Sequence, residues 1–274
     1  MAGVETLAAD ALRDAKHRRR ALPRPGQQRR ARHAAAGRRR PADRARRAAP
    51  PVPAGADGMS PRDLLQRETG LDLSSTVVER AVAERVAALG LDDAARYPSL
   101  LTGTELQALA ELVVVPESWM FRDPEAFGAA ARFVQERLAA APRRTVRILS
   151  IPCAMGEEPY SMAMALKDAQ VPGASFLIDA VDLSHVALAR ARLGRYTKNA
   201  FRGGDQSFRE RHFTQDGSEF QIDQALRAQV NFSQGNLLTI DAAASTGRYD
   251  IVFCRNLLIY FDEATAMRPS PGCA

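Results

Sequence analysis

Two hydrophobic periodicities divide the chain. From Ser60 onward, apolar positions recur at helical spacing: Leu64 and Leu65, then Val77, Val78, Ala81, Val82, Val86 and Leu89. Ser60 followed by Pro61 reads as a helix start, because the hydroxyl can cap and proline has no N–H to waste at the first helical position. Gly90 closes the longer helix, and Thr104–Val115 forms another that breaks at Pro116. A small helical domain is therefore expected over residues 59–138. Beyond it the pattern shortens to strand-like runs at Val146–Ile151, Phe176–Val181, Val230–Ser233 and Tyr249–Phe253, with helices at Pro159–Ala169 and Val186–Leu193. Strands that alternate with helices predict an α/β domain over 139–274, doubly wound about a parallel sheet with helices on both faces. Within residues 196–229, Asp216 and Gly217 sit between two extended runs of His212–Ile222, which predicts an inserted β-hairpin. After Phe253 a helix start at Asp262 gives way to Pro269, Ser270, Pro271 and Gly272, so the sheet is expected to lack its C-terminal strands, as in a truncated domain.

Composition changes this picture mainly at the N-terminus. Overall, 46% hydrophobic and 26% charged residues are ordinary for a globular protein. Residues 1–58, however, carry fifteen Lys or Arg against five acids, while the remainder carries 23 basic and 27 acidic residues. The leader is Arg-, Ala- and Pro-rich and has too little apolar surface to offset the entropy of ordering, so disorder is expected there. Its arginine runs could bind nucleic acid through counterion release, but they have no aromatic residue for base stacking, and no specific nucleic-acid partner is expected. No apolar run approaches a membrane span, and no secretory signal opens the chain, so neither membrane insertion nor export is expected and the location reads as cytoplasmic. Three cysteines without a CxxC pair argue against disulfides and against a metal site. Cys153 and Cys254 end apolar runs, where a buried inert thiol is the usual state.

In open α/β sheets ligands bind beyond the carboxyl ends of the strands. Ser150–Ser161 makes a tight turn there, in which Gly156 would let the backbone approach a ligand. Glu157 and Glu158 in the following helical turn disfavour phosphate and favour a cation. Asp182, directly after the second strand, suits ribose hydroxyls, although an aspartate there can equally be a cap. Asn236 and Leu237 follow the third strand, and Cys254, Arg255 and Asn256 the fourth. A cationic, ribose-bearing cofactor beside a turn that is not GxGxxG points to S-adenosylmethionine rather than NAD.

Three segments then carry a specific resemblance: Glu117–Pro124 (ESWMFRDP), Pro152–Ser161 (PCAMGEEPYS) and Phe253–Asp262 (FCRNLLIYFD). Over residues 59–263 the chain resembles the chemotaxis receptor glutamate O-methyltransferases, the CheR family, in the subgroup that often carries a tetratricopeptide extension. The resemblance implies a Rossmann-like class I methyltransferase domain that uses S-adenosylmethionine to esterify glutamates on the cytoplasmic helical domains of methyl-accepting chemoreceptor-type proteins. It also implies roles by position. Ser118, Arg122, Glu158, Asp182, Asn236, Leu237, Cys254, Arg255 and Asn256 would surround the cofactor. Arg122 and Tyr260 would orient the acceptor glutamate. Pro116, Met120 and Met155 depart from the usual family residues. A glutamate carboxylate is already ionised at neutral pH, so no base is needed, in keeping with motifs that contain no histidine. The competing reading is an inactive cofactor-binding or receptor-scaffolding fragment.

Overall fold

The computed structural model describes residues 59–114, 117–238, 247–255 and 261. The leader 1–58, Pro116, Asn256, Tyr260 and the segment from Asp262 onward, with the expectations attached to them, lie outside the described residues.

The helical segment opens with α1 (Pro61–Thr69), α2 (Ser75–Ala88) and α3 (Gly103–Val113), with a 3-10 turn at Ala94–Leu100. Ser60 caps α1 as its sequence requires: the side chain accepts from Asp63 N, and Asp63 Oδ2 accepts from Ser60 N at 3.2 Å. The helix stops at Gly70, whose φ of 73° suits a residue without Cβ. Leu65, Val78, Val82, Tyr97, Leu109 and Val113 form the core of this segment. Inside it, Arg85 makes a two-pronged bond to Glu105 at 2.9 and 2.8 Å, and Tyr97 Oη donates to the same carboxylate at 2.8 Å. Tyr97 can thus be fully buried without leaving its hydroxyl unpaired.

Helix α4 (Pro124–Ala140) follows, then β1 (Val146–Ser150), α5 (Glu157–Asp168), β2 (Phe176–Asp182) and α6 (His185–Leu193). The division expected near residue 138 falls inside α4. Its buried face, Phe127, Ala130, Ala131 and Val134, shares a core with Ile148, Ile178 and Phe253 rather than with α1–α3. The chain continues through β3 (Arg195–Thr197), α7 (Ser207–His212), β4 (Phe213–Asp216), β5 (Glu219–Ile222), α8 (Gln224–Arg227), β6 (Val230–Gln234) and β7 (Ile251–Phe253). The predicted hairpin is β4–β5, turning at Gly217 with φ of 60°. Tyr196 and its neighbours add β3 as an antiparallel partner of β5, making three strands.

The main sheet is parallel with order β6-β2-β1-β7. Strands β1, β2 and β6 step outward in one direction, whereas β7 pairs with the other edge of β1. The winding therefore reverses between β1 and β7, and the crevice beyond their carboxyl ends is where such sheets bind ligands. This is the expected Rossmann-like parallel sheet preceded by helices. Side chains on one sheet face pack beneath α4, α5 and α6. On the other face, Leu149, Ile151 and Val181 meet Leu237 and Tyr249. Arg147, Tyr249 and Asn231 converge there on Asp179, at 2.7, 3.0 and 3.3 Å, and tie β1, β2 and β6 to the segment that leads into β7.

Phe127 makes the membership of α4 testable, because its ring stacks on Phe253 at 5.5 Å and is 1% exposed. Phe127→Ala is expected to cost about 3 to 5 kcal/mol. The check is a denaturant midpoint read from probes in β1 or β7. A variant that unfolds only the helical segment would contradict the shared core.

Candidate functional site

A cleft of about 1280 Å³, counting its open mouth, lies beyond the carboxyl ends of β1, β2, β6 and β7. Its floor is laid by the turn from β1 into α5. Ala154 takes a φ of 48°, Gly156 a φ of 92°, and the Ile151–Pro152 bond is cis. Asp182, at the end of β2, fixes this turn: its carboxylate accepts from Ala154 N at 2.7 Å and from Ser184 N at 2.9 Å. It is 4% exposed, and burial raises its pKa against those hydrogen bonds. A carboxylate offers roughly four acceptor positions, so capacity is left for hydroxyl donors of a ligand.

Glu158 stands beside it on α5. Its carboxylate accepts from Ser150 Oγ at 2.7 Å and lies 3.7 Å from the Arg255 guanidinium. Burial pushes this acid up in pKa, while the Ser150 hydroxyl and the charges of Arg255 and Arg122 pull it down. Arg255 itself pairs with Asp123. Arg122 lies 4.3 Å from the centre of the Trp119 ring, and Nη1 donates to Glu117 O at 3.4 Å. Arg202 approaches the same ring at 5.5 Å and pairs with Glu117 at 2.9 Å.

Of the residues singled out from the sequence, Ser118, Arg122, Glu158, Asp182, Asn236, Leu237 and Arg255 line this one cleft. Cys254 is described but is not among the lining residues. Its thiol is pushed up to about 11 by burial, and that of Cys153 is also raised by burial, so both stay protonated at neutral pH. Asn256 and Tyr260 lie outside the described residues. The role expected for Gly156 needs correction, because protein rather than ligand fills the space beside it. A Cβ there would meet Tyr196 Oη at 3.0 Å, and Ala191 Cβ and Tyr160 Cε2 at 3.1 Å. Tyr196 Oη in turn holds the turn by donating to Met155 O at 2.7 Å.

Sequence reasoning missed the far wall. Thr69, Leu71, Asp72, Leu73, Val113 and Val114 come from the helical segment and close the cleft over the strand ends. Phe261 joins them through a bridge to Leu71. Asn236 Nδ2 donates to Glu68 O, linking β6 to α1. Gly235 was also missed. A Cβ on it would fall 2.7 Å from Val181, so only glycine lets the chain after β6 pass so close to β2.

The residues present suit S-adenosylmethionine. Buried Asp182 at the end of β2 and half-buried Glu158 on α5 match a cationic, hydroxyl-bearing ligand, and the turn's Ala154 N–H is already committed to Asp182 rather than open to phosphate.

Residues 117–268 match the family described as CheR methyltransferase, SAM binding domain. The chain is 48% identical over 208 residues to the probable biofilm formation methyltransferase WspC of Pseudomonas aeruginosa, covering 74% of this chain and 49% of that protein. Its counterpart in Pseudomonas putida is 45% identical, covering 74% and 50%. The chemotaxis protein methyltransferase of Salmonella typhimurium is 30% identical, covering 74% and 72%. The chain thus spans about half the length of the WspC relatives.

Glu157 supplies a prediction about the turn. It is 1% exposed, its Oε2 has no hydrogen-bond partner, and burial pushes its pKa up to about 7. Below pH 4.5 the carboxyl is protonated whether the chain is folded or not, and costs nothing. Between pH 4.5 and about 7 the folded state keeps a proton that the unfolded state has released, so stability falls as pH rises. Above that window the loss is complete, on the order of 3 kcal/mol. Glu157→Gln cannot ionise, so the stability lost between pH 4.5 and pH 8 should shrink by an amount of that order. Equal pH slopes in the two proteins would show that the group ionises freely.

Proposed function

The chain belongs to the CheR methyltransferase family, and from that premise we propose that it methylates glutamate side chains of chemoreceptor-type signalling proteins, forming methyl esters. The observation that carries this reading is the pairing of functions in one cleft. Asp182, buried at the end of β2, and half-buried Glu158 on α5 line it together with Arg122 and Arg255. When bound, S-adenosylmethionine supplies a methyl group on positively charged sulfur that an ionised carboxylate can take up directly.

Each residue then has a separable task. Asp182 and Glu158 hold the cofactor by hydrogen bonding and charge, with Ser118, Asn236 and Leu237 shaping the pocket around it. Arg255 balances Glu158 and Asp123, so the acidic floor is not left uncompensated. Arg122, fixed against Trp119 and Glu117 O, offers its guanidinium to an acceptor carboxylate. Tyr260 is assigned a hydrogen bond to the same acceptor on the strength of its motif. The helical wall encloses one side of the crevice, and reduced access of water there would strengthen every one of these interactions. Among the described residues no helix is long and apolar enough to cross a membrane, and we place the protein in the cytoplasm, where receptor helical domains are accessible. The relatives named for biofilm formation favour an acceptor serving that process over one serving chemotaxis.

Incubation with labelled S-adenosylmethionine and receptor-bearing membranes tests the reaction. The label is expected on the receptor and should be released by mild alkali, as a carboxyl methyl ester requires. Alkali-stable label would overturn the proposed acceptor group. Asp182→Ala should weaken S-adenosylhomocysteine binding by roughly 10- to 100-fold, because a hydrogen bond to a charged acceptor contributes about 1.5 to 3 kcal/mol. Unchanged affinity by calorimetry would leave Asp182 with a structural role only.

A further inference from the structure

Helix α3 meets the α/β domain through two side chains one turn apart, Glu111 and Gln107. The Glu111 carboxylate accepts from Ser184 Oγ and, at 2.6 Å, from His185 N, the first N–H of α6. Gln107, one turn earlier, donates to Glu111 Oε1 at 3.3 Å and to Leu183 O at 3.0 Å. Leu183 packs against the helical core, although it follows β2 in the chain. The residues held in this way are the immediate neighbours of Asp182. Ser184 N donates to Asp182 Oδ1, and Asp182 Oδ2 receives Ala154 N. One hydrogen-bonded chain therefore runs from α3 through Glu111, Ser184 and Asp182 to the turn at Ala154. Asp182, Leu183 and Ala154 line the cleft from the sheet side, and Val113 and Val114 line it from the end of α3. Glu111 is not itself a lining residue.

We propose that Glu111 is a positioning residue that makes cofactor binding and docking of the helical wall one coupled equilibrium. A carboxylate is the group this junction needs. Two donors from the start of α6 converge on it with an amide from α3, and its negative charge lies at the N-terminal end of a nine-residue helix, the end where negative charge is stabilising. A ligand that bonds to Asp182 restrains the Leu183–His185 segment, and that restraint passes through Glu111 to α3. In the reverse direction, a docked α3 holds the Asp182 carboxylate aimed before ligand arrives. Two elements that share one such junction couple reciprocally.

This inference rests on the cofactor occupying the cleft, and the experiment separates the two ideas. Hydrogen exchange is followed with and without S-adenosylhomocysteine on the full chain, together with calorimetric affinity. In the unaltered protein the ligand is expected to slow amides both in residues 182–188 and in α3. Glu111→Ala should keep the slowing in 182–188, lose it in α3, and bind roughly 5- to 50-fold more weakly. Glu111→Gln retains one acceptor oxygen and should restore part of both effects. It also serves as the test protein if the alanine variant does not fold. Ligand protection of α3 that persists undiminished in both variants, or that is absent from the unaltered protein while 182–188 are protected, overturns the coupling. No binding by the unaltered protein overturns the cofactor reading and the coupling with it.

Discussion

A carboxylate buried at the end of a strand must find donors, and the directions in which Asp182 finds them organise the whole site. One oxygen draws in the N–H of Ala154, holding the β1–α5 turn in a left-handed conformation that alanine seldom adopts. The other draws in Ser184 N, setting where α6 begins. Gly235 N adds a bond to Asp182 O at 3.0 Å, so the chain leaving β6 is placed by the same residue. Removing this carboxylate would therefore disturb the β1–α5 turn and the start of α6, while the bond from Gly235 N, made to the main-chain carbonyl, would remain.

Charge is arranged around it with the same economy. Glu157, Glu158, Asp182 and, one contact further out, Glu111 put four acids within the reach of one crevice. All three acids nearest the turn have their pKa raised by burial. Such a site resists anions and gains from a cation. The opposing cations are placed at the rim, where Arg255 bridges the acids of two segments and Arg122 lies flat on an indole. Arg255 partly offsets the acids it bridges, and the burial of Asp182 leaves the floor of the cleft acidic.

The parallel sheet and the lining residues at its strand ends were legible because they are local signals: short apolar runs, a carboxylate after a strand, three motif segments. What escaped was set by contacts distant in sequence. The pattern of α4 resembles that of the helices before it, and nothing within Pro124–Ala140 says that its apolar face meets Ile148 and Phe253 rather than Leu109. The short strand β3 exists only because β5 offers it a partner. Gly156 illustrates the limit most clearly. Its need for a positive φ could be guessed from a turn, but whether ligand or protein filled the space could not, because Tyr196 and Ala191 arrive from beyond β2. The helical wall was invisible for the same reason, since neither Leu71 nor Leu73 bears a mark of its destination.

Backbone strain shows why these distant contacts matter to function. Among the described residues four non-glycine positions have positive φ, and three of them, Phe121, Asp123 and Ala154, lie on the segments that build the cleft. Each costs on the order of 1 to 3 kcal/mol and persists only where its surroundings over-determine it. Phe121 is held by its ring against Phe208 and Phe127 and by its N–H on Ser161 Oγ, Asp123 by Arg255, and Ala154 by Asp182. The residue between the first two is Arg122. A guanidinium carried between two such restrained positions has little backbone freedom, so its placement at the cleft is set during folding. Preorganised charge of this kind meets a ligand without a reorganisation cost. The packing of Phe127 and Phe208, neither of which lines the cleft, is therefore part of how the cleft holds its charges in place.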